Sequence, residues 1–110
     1  MPHLRIRGVD QQQAESLSFS LPQILAEPLS IKPSAVPLEW ISSQLLINGQ
    51  TQLKPLLEVH WFARPQAQQD QIAQVLTHEL NRVLGSKMDY SVVFYVMDKS
   101  AYYRNGQHFG

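Results

Sequence analysis

The chain has 110 residues, the length of one domain, and its 44% apolar share is enough to bury a core. Nine Lys and Arg balance nine Asp and Glu, so no broad basic field exists to draw nucleic acid or an anionic membrane. Cysteine is absent, which excludes disulfides, thiolate nucleophiles and cysteine zinc sites.

In chain order, Leu4-Arg5-Ile6-Arg7 alternates apolar and charged residues, the period of a half-buried strand. Gly8 breaks it. Asp10 followed by Gln13 then reads as a helix N-cap with a capping box. Ala14, Leu17, Leu21, Ile24 and Leu25 form the apolar stripe of that helix. Pro22 lies off the stripe, which predicts a kink on the solvent side and an end near Glu27-Pro28. A strand is expected from Val36 through Leu38 and Trp40 to Ile47, and Asn48-Gly49 then signals a reversal.

After Pro55, Leu57, Val59 and Trp61 alternate with Glu58 and His60, giving another strand. Pro65 opens a second helix whose stripe is Ile72, Val75, Leu76, Leu80, Val83 and Leu84, closed by Gly85. Val92 to Met97 is a nearly continuous apolar run, expected for a strand buried on both faces. A polar tail from Asp98 to Gly110 follows. No apolar run reaches membrane-span length and no secretory signal pattern opens the chain, so the expected location is cytoplasmic.

Strand, helix, strand therefore occurs twice. Two helices with one apolar stripe each predict an α+β fold, a four-stranded mixed sheet with both helices on one face. The other face would carry His3, Arg5, Arg7, Glu58 and His60, while Trp40, Phe94 and Tyr95 also need cover. Packing such faces around an axis would meet both demands, and zero net charge favours self-association. A monomer with one wet sheet face is the alternative.

Pro2 is the most informative position. Removal of Met1 would leave a secondary amine anchored at the head of a strand. An exposed α-amino group titrates at about 7.7–8.0, and a free proline is more basic. Burial and nearby cations would lower that value toward neutrality, where proton abstraction beside a carbonyl works best. If Met1 is retained, the Pro2 nitrogen is an amide with no basic lone pair. The histidines show no HExxH spacing, and no P-loop, dinucleotide fingerprint or nucleophile elbow is present, so neither metal nor cofactor is expected.

Met1-Pro2-His3 leading into a strand, inside this repeated layout, resembles the tautomerase superfamily. Three further stretches are similar to segments of its members: Trp40 to Gln50, Ile31-Lys32-Pro33, and Gly106 to Gly110. The resemblance covers nearly the whole chain, residues 1–110 as one tautomerase-like domain. It implies a homotrimer with sites at subunit interfaces and cofactor-free keto–enol chemistry on a small enolisable oxo acid. It also implies Pro2 as the catalytic base, Lys32 facing the substrate carbonyl or carboxylate, and Phe109 walling the pocket. Two positions depart from the pattern. Ala35 stands where a carboxylate-binding arginine is expected, and Pro37 or Val93 where another is. Arg104, flanked by Tyr102, Tyr103 and Asn105, could supply that cation from the tail, since a guanidinium pairs bidentately with carboxylate. A solvated loop arginine is its other reading, and Lys32 could equally serve the end of the first helix.

Three readings stay open at this level. One is a proline-based tautomerase or isomerase. The second is a non-catalytic trimeric ligand-binding or interaction protein of the same fold. The third is a ferredoxin-like domain, whose βαβ units are split rather than adjacent.

Overall fold

The computed structural model describes residues 2–86 and 88–110. Strand β1 spans His3–Arg7, helix α1 Gln11–Leu29, β2 Leu38–Ile41, β3 Leu45–Ile47, β4 Gln50–Gln52 and β5 Leu56–Phe62. Helix α2 (Gln66–Leu84), β6 (Ser91–Met97), β7 (Tyr103–Arg104) and β8 (Gln107–His108) complete the chain, with short 3₁₀ turns at Pro33–Ala35 and Lys99–Ala101.

The main sheet has the order β2-β1-β5-β6. Strands β1 and β2 pair in parallel, β5 and β6 pair in parallel, and β1 meets β5 antiparallel. Each βαβ unit thus joins neighbouring strands, which rules out the split ferredoxin-like layout. The fold is α+β: two β-α-β units form a four-stranded mixed sheet with both helices on one face.

Burial explains that arrangement. Leu4 and Ile6 of β1, with Leu57, Val59 and Trp61 of β5, point to the helical side. There they meet Leu17, Leu21 and Leu25 of α1 and Ile72, Leu76 and Leu80 of α2 in one core. Asp10 caps α1 as expected: its carboxylate accepts from Gln13 N–H, and the Gln13 side chain accepts from Asp10 N–H. Gly85 follows α2 with φ 91.

Several expectations need correction. Helix α1 continues through Pro22 and Pro28 to Leu29, and the Pro22 ring lies buried instead of facing solvent. The ring contributes apolar packing at that position, and the helix ends where Ser30 turns left-handed at φ 55. Val75 is 39% exposed and stands outside the α2 stripe, while Ile24 and Val83 are only half-buried. The single strand expected over 36–47 divides: β2 stops at Ile41, and β3 begins after Ser42, Ser43 and Gln44. Asn48 and Gly49, both at positive φ, close the β3–β4 hairpin as the Asn-Gly signal predicts. Strand β6 is an edge, not a central strand, and its Val93, Tyr95 and Val96 are exposed in the isolated chain. Of the aromatics expected to need cover on the open face, only Tyr95 is there. Trp40 and Phe94 share the helix-side register of Ile6 and Val59.

No helix among the described residues is long and apolar enough to cross a membrane.

Candidate functional site

The strand directions decide what meets at each end of the sheet. At one end β1 and β2 begin while β5 and β6 finish. Pro2 stands there, its side chain fully buried. Leu4 N–H donates to the Pro37 carbonyl at 3.0 Å, tying the head of β1 to the segment that follows Lys32. Met1, whose removal would free the Pro2 amine, lies outside the described residues.

The tail folds back over this end. Phe109 N–H donates to the carbonyls of Lys99 at 3.0 Å and Tyr102 at 3.2 Å. The Tyr102 ring meets Phe62 edge-on at 5.6 Å and Phe109 at 5.0 Å, and Phe62 and Phe109 stand 5.8 Å apart. The hydroxyl of Tyr102 is 3.1 Å from His3 Nε2, which pins the tail to the strand that Pro2 heads. Gly110 closes so tightly that a Cβ there would come within 2.9 Å of Ser100 N.

Pro2 and Phe109 therefore share one end of the molecule. Lys32 is at that end too, just before the 3₁₀ turn leading into β2, but it is exposed. Arg104 is exposed on the β7–β8 hairpin. Among the described residues neither cation forms a side-chain hydrogen bond or an ion pair, so nothing in the isolated chain fixes either one against Pro2. The tail hairpin itself went unread in the sequence. Its signal was present: Asn105-Gly106 repeats the Asn48-Gly49 dipeptide, and both of its residues have positive φ.

A charged cluster occupies the open sheet face. Glu58, 4% exposed, accepts a hydrogen bond from Arg7 and lies 2.7 Å from His60 Nε2 and 3.9 Å from Arg5. Arg5 also reaches Glu39 at 3.2 Å, and His60 stacks on Tyr95 at 4.6 Å. Burial pushes the Glu58 carboxyl up, but the His60 hydrogen bond and the charges of Arg7 and Arg5 outweigh it and hold the group below the ordinary value. His3 is lowered as well, chiefly by burial and then by repulsion from His60, with Glu39 opposing.

Both shifts have one consequence for stability. Each group binds its proton less readily in the folded chain than in the unfolded one, so stability rises with pH across both titrations. Acidification should therefore lower the melting temperature in two stages. The His3 stage starts below its ordinary value of 6.5, and the Glu58 stage below 4.5. In a pH series of thermal melts, His3→Gln should flatten the first stage and leave the second. An unaltered first stage would place its origin elsewhere.

A concavity opens at the opposite end of the sheet from Pro2. It is an open cleft of about 780 Å³ between the start of α1 and the β3–β4 hairpin, lined among others by Arg7, Asp10, Trp40 and Lys54. Gly8, at φ 80, lets β1 pass the Lys54–Pro55 backbone there. A Cβ would meet the Lys54 carbonyl oxygen at 2.7 Å.

Comparison with known proteins places this geometry. A protein of unknown function from Vibrio cholerae is 42% identical, superposes with a TM-score of 0.88, and the match covers 98% of this chain and 87% of that one. A macrophage migration inhibitory factor homologue from Prochlorococcus marinus, at 19% identity, superposes with a TM-score of 0.76 over 98% of this chain and 99% of that one. A fused 4-OT asymmetric trimer, at 16% identity, gives 0.81 over 96% and 94%. At such identities the latter two establish a tautomerase-like fold and nothing finer. No curated protein matches the sequence. The family assignment comes from a match spanning residues 1–108: the chain belongs to the family described as Domain of unknown function (DUF1904).

Proposed function

We propose that the processed chain is a cofactor-independent tautomerase or isomerase acting on a small enolisable oxo acid, with Pro2 as its base. The observation that carries this reading is Pro2 itself, its side chain fully buried at the head of a central strand, at the end of the sheet over which the tail bearing Phe109 folds back. An amine in such surroundings loses hydration more in its charged form than in its neutral form, which favours the free base at neutral pH. In the keto form the Pro2 nitrogen takes the α-proton, the C–H pair becomes the C=C bond and the carbonyl π pair moves onto oxygen, giving an enolate. The oxygen then takes a proton from protonated Pro2 or from water, and the enol is complete. In ketonisation the enol hydroxyl loses its proton to Pro2 or water, and protonated Pro2 delivers a proton to carbon. Lys32 and Arg104, both exposed and without an ion pair among the described residues, supply the cations for the substrate carboxylate or the developing enolate.

The working unit on this reading is a homotrimer. The exposed Val93, Tyr95 and Val96 of edge strand β6, with Leu45, Leu46 and Ile47 of the projecting hairpin, are apolar surface that subunit contacts would bury. A neighbour of the same fold is a trimer. Sedimentation equilibrium should give a trimer mass, and a monomer that persists on concentration would remove this assembly.

Activity is tested by the enol of phenylpyruvate, with mass spectrometry first establishing that Met1 has been removed. The processed protein should accelerate ketonisation well above the buffer rate. A rate equal to buffer favours the second reading, a non-catalytic trimeric ligand-binding or interaction protein of the same fold. The observation behind that alternative is the cleft of about 780 Å³ that opens at the end of the sheet away from Pro2.

A further inference from the structure

Two tryptophans are present, and their indole N–H groups are treated differently. Trp40 donates to the Val9 carbonyl at 3.2 Å. Trp61 is only 1% exposed, yet among the described residues its Nε1–H meets no acceptor. Leaving a buried donor unsatisfied is costly, and a phenylalanine would fill most of the space without that cost.

The position of this orphan is informative. His3 pairs with His60 and Leu4 with Val59, so one further step along the same register sets Trp61 opposite Pro2. Alternation puts Pro2 and Trp61 on the same face of the sheet, and Cβ atoms of directly opposed residues stand about 4.5–5.5 Å apart. Phe94 packs on the indole at 4.8 Å, which holds its plane. Removing Met1 necessarily uncovers the Pro2 nitrogen, because the two are bonded. A small acid reacting there would meet the end of β5 that carries Trp61.

We propose that the Trp61 indole N–H donates a hydrogen bond to the carbonyl oxygen of a 2-oxo acid bound at Pro2. This rests on the reading of Pro2 as the base and names the group that receives the oxygen as charge develops on it. The donor has no partner among the described residues and would gain one from the substrate oxygen. Its contribution grows as the carbonyl becomes an enolate, the condition under which a preorganised donor accelerates a reaction.

The test uses ¹⁵N-labelled processed protein, whose two indole resonances are assigned with Trp40→Phe and Trp61→Phe. Benzoylformate, a 2-oxo acid without an α-hydrogen, is the titrant. The Trp61 resonance should move saturably while that of Trp40 stays. Trp61→Phe should lower kcat for phenylpyruvate ketonisation about ten- to hundredfold, with an equal or higher melting temperature because the lost donor had no partner. An unmoved Trp61 resonance overturns the assignment, and so does wild-type kcat in Trp61→Phe; either result leaves Pro2 untouched if the wild type turns over. A wild type without turnover removes Pro2 as base, and the titration alone then decides on the indole. The titration decides equally if Trp61→Phe does not fold.

Discussion

A single added residue before Pro2 should abolish ketonisation, taking the rate of the processed protein down to that of buffer. The effect is expected to be this large because acylation turns the Pro2 nitrogen, the base of the proposed mechanism, into an amide. General-base catalysis alone is worth about 10²–10⁴-fold, and positioning adds to it. Pro2→Ala is the informative companion. It keeps an α-amino group of lower basicity on the same strand, and some activity should remain. The expected order is processed protein, then Pro2→Ala, then the extended chain. Equal rates in the processed and extended forms would take Pro2 out of the mechanism. A Phe109→Ala change in the tail should have the smaller effect, since Phe109 is itself 40% exposed.

Leu80→Ala should lower the unfolding free energy by about 2–5 kcal/mol, the range for truncating a large aliphatic side chain in a packed core. Leu80 is 1% exposed and belongs to the cluster that joins α2 to α1 and to β1 and β5. Removing its side chain deletes apolar contacts on both helices and leaves a cavity that the sheet cannot close. Val75→Ala on the same helix is the control. Val75 is 39% exposed, and alanine is the better helix former, so its change should stay within about 0.5 kcal/mol. Chemical denaturation measures both, at one fixed protein concentration because assembly would couple to unfolding. Equal effects at the two positions would mean that α2 presents a different face to the sheet.

The stripe on α2 shows where reading from sequence ends. Helical spacing admits both Val75 and Leu80, because a 3.6-residue period defines a broad face and not its border. The border depends on where α1 lies, which is a tertiary fact. Local signals were reliable where the physics is local. The Asp10–Gln13 capping box, Gly85 after α2 and the Asn48-Gly49 turn involve hydrogen bonds or dihedral angles within a few residues. Pro22 was misplaced for the opposite reason: its chemistry predicts a lost helix hydrogen bond, while its burial depends on what packs against it.

The site divides in the same way. Sequence by itself determined that an amine freed at Pro2 would head a strand, that two β-α-β units would share one sheet, and that neither cysteine nor charge offered another chemistry. Only the tertiary structure decided that β1 lies between β2 and β5, because strand order is set by crossover connections between distant segments. From that order follow the seating of Tyr102 against His3, 99 positions apart in sequence, the meeting of Glu58 with Arg5 and Arg7, and the register that sets His60 opposite His3. It also decided that β6 is an edge. An apolar run reads the same whether its second face is covered by its own chain or left for another copy, since burial depends on neighbours that local periodicity does not encode.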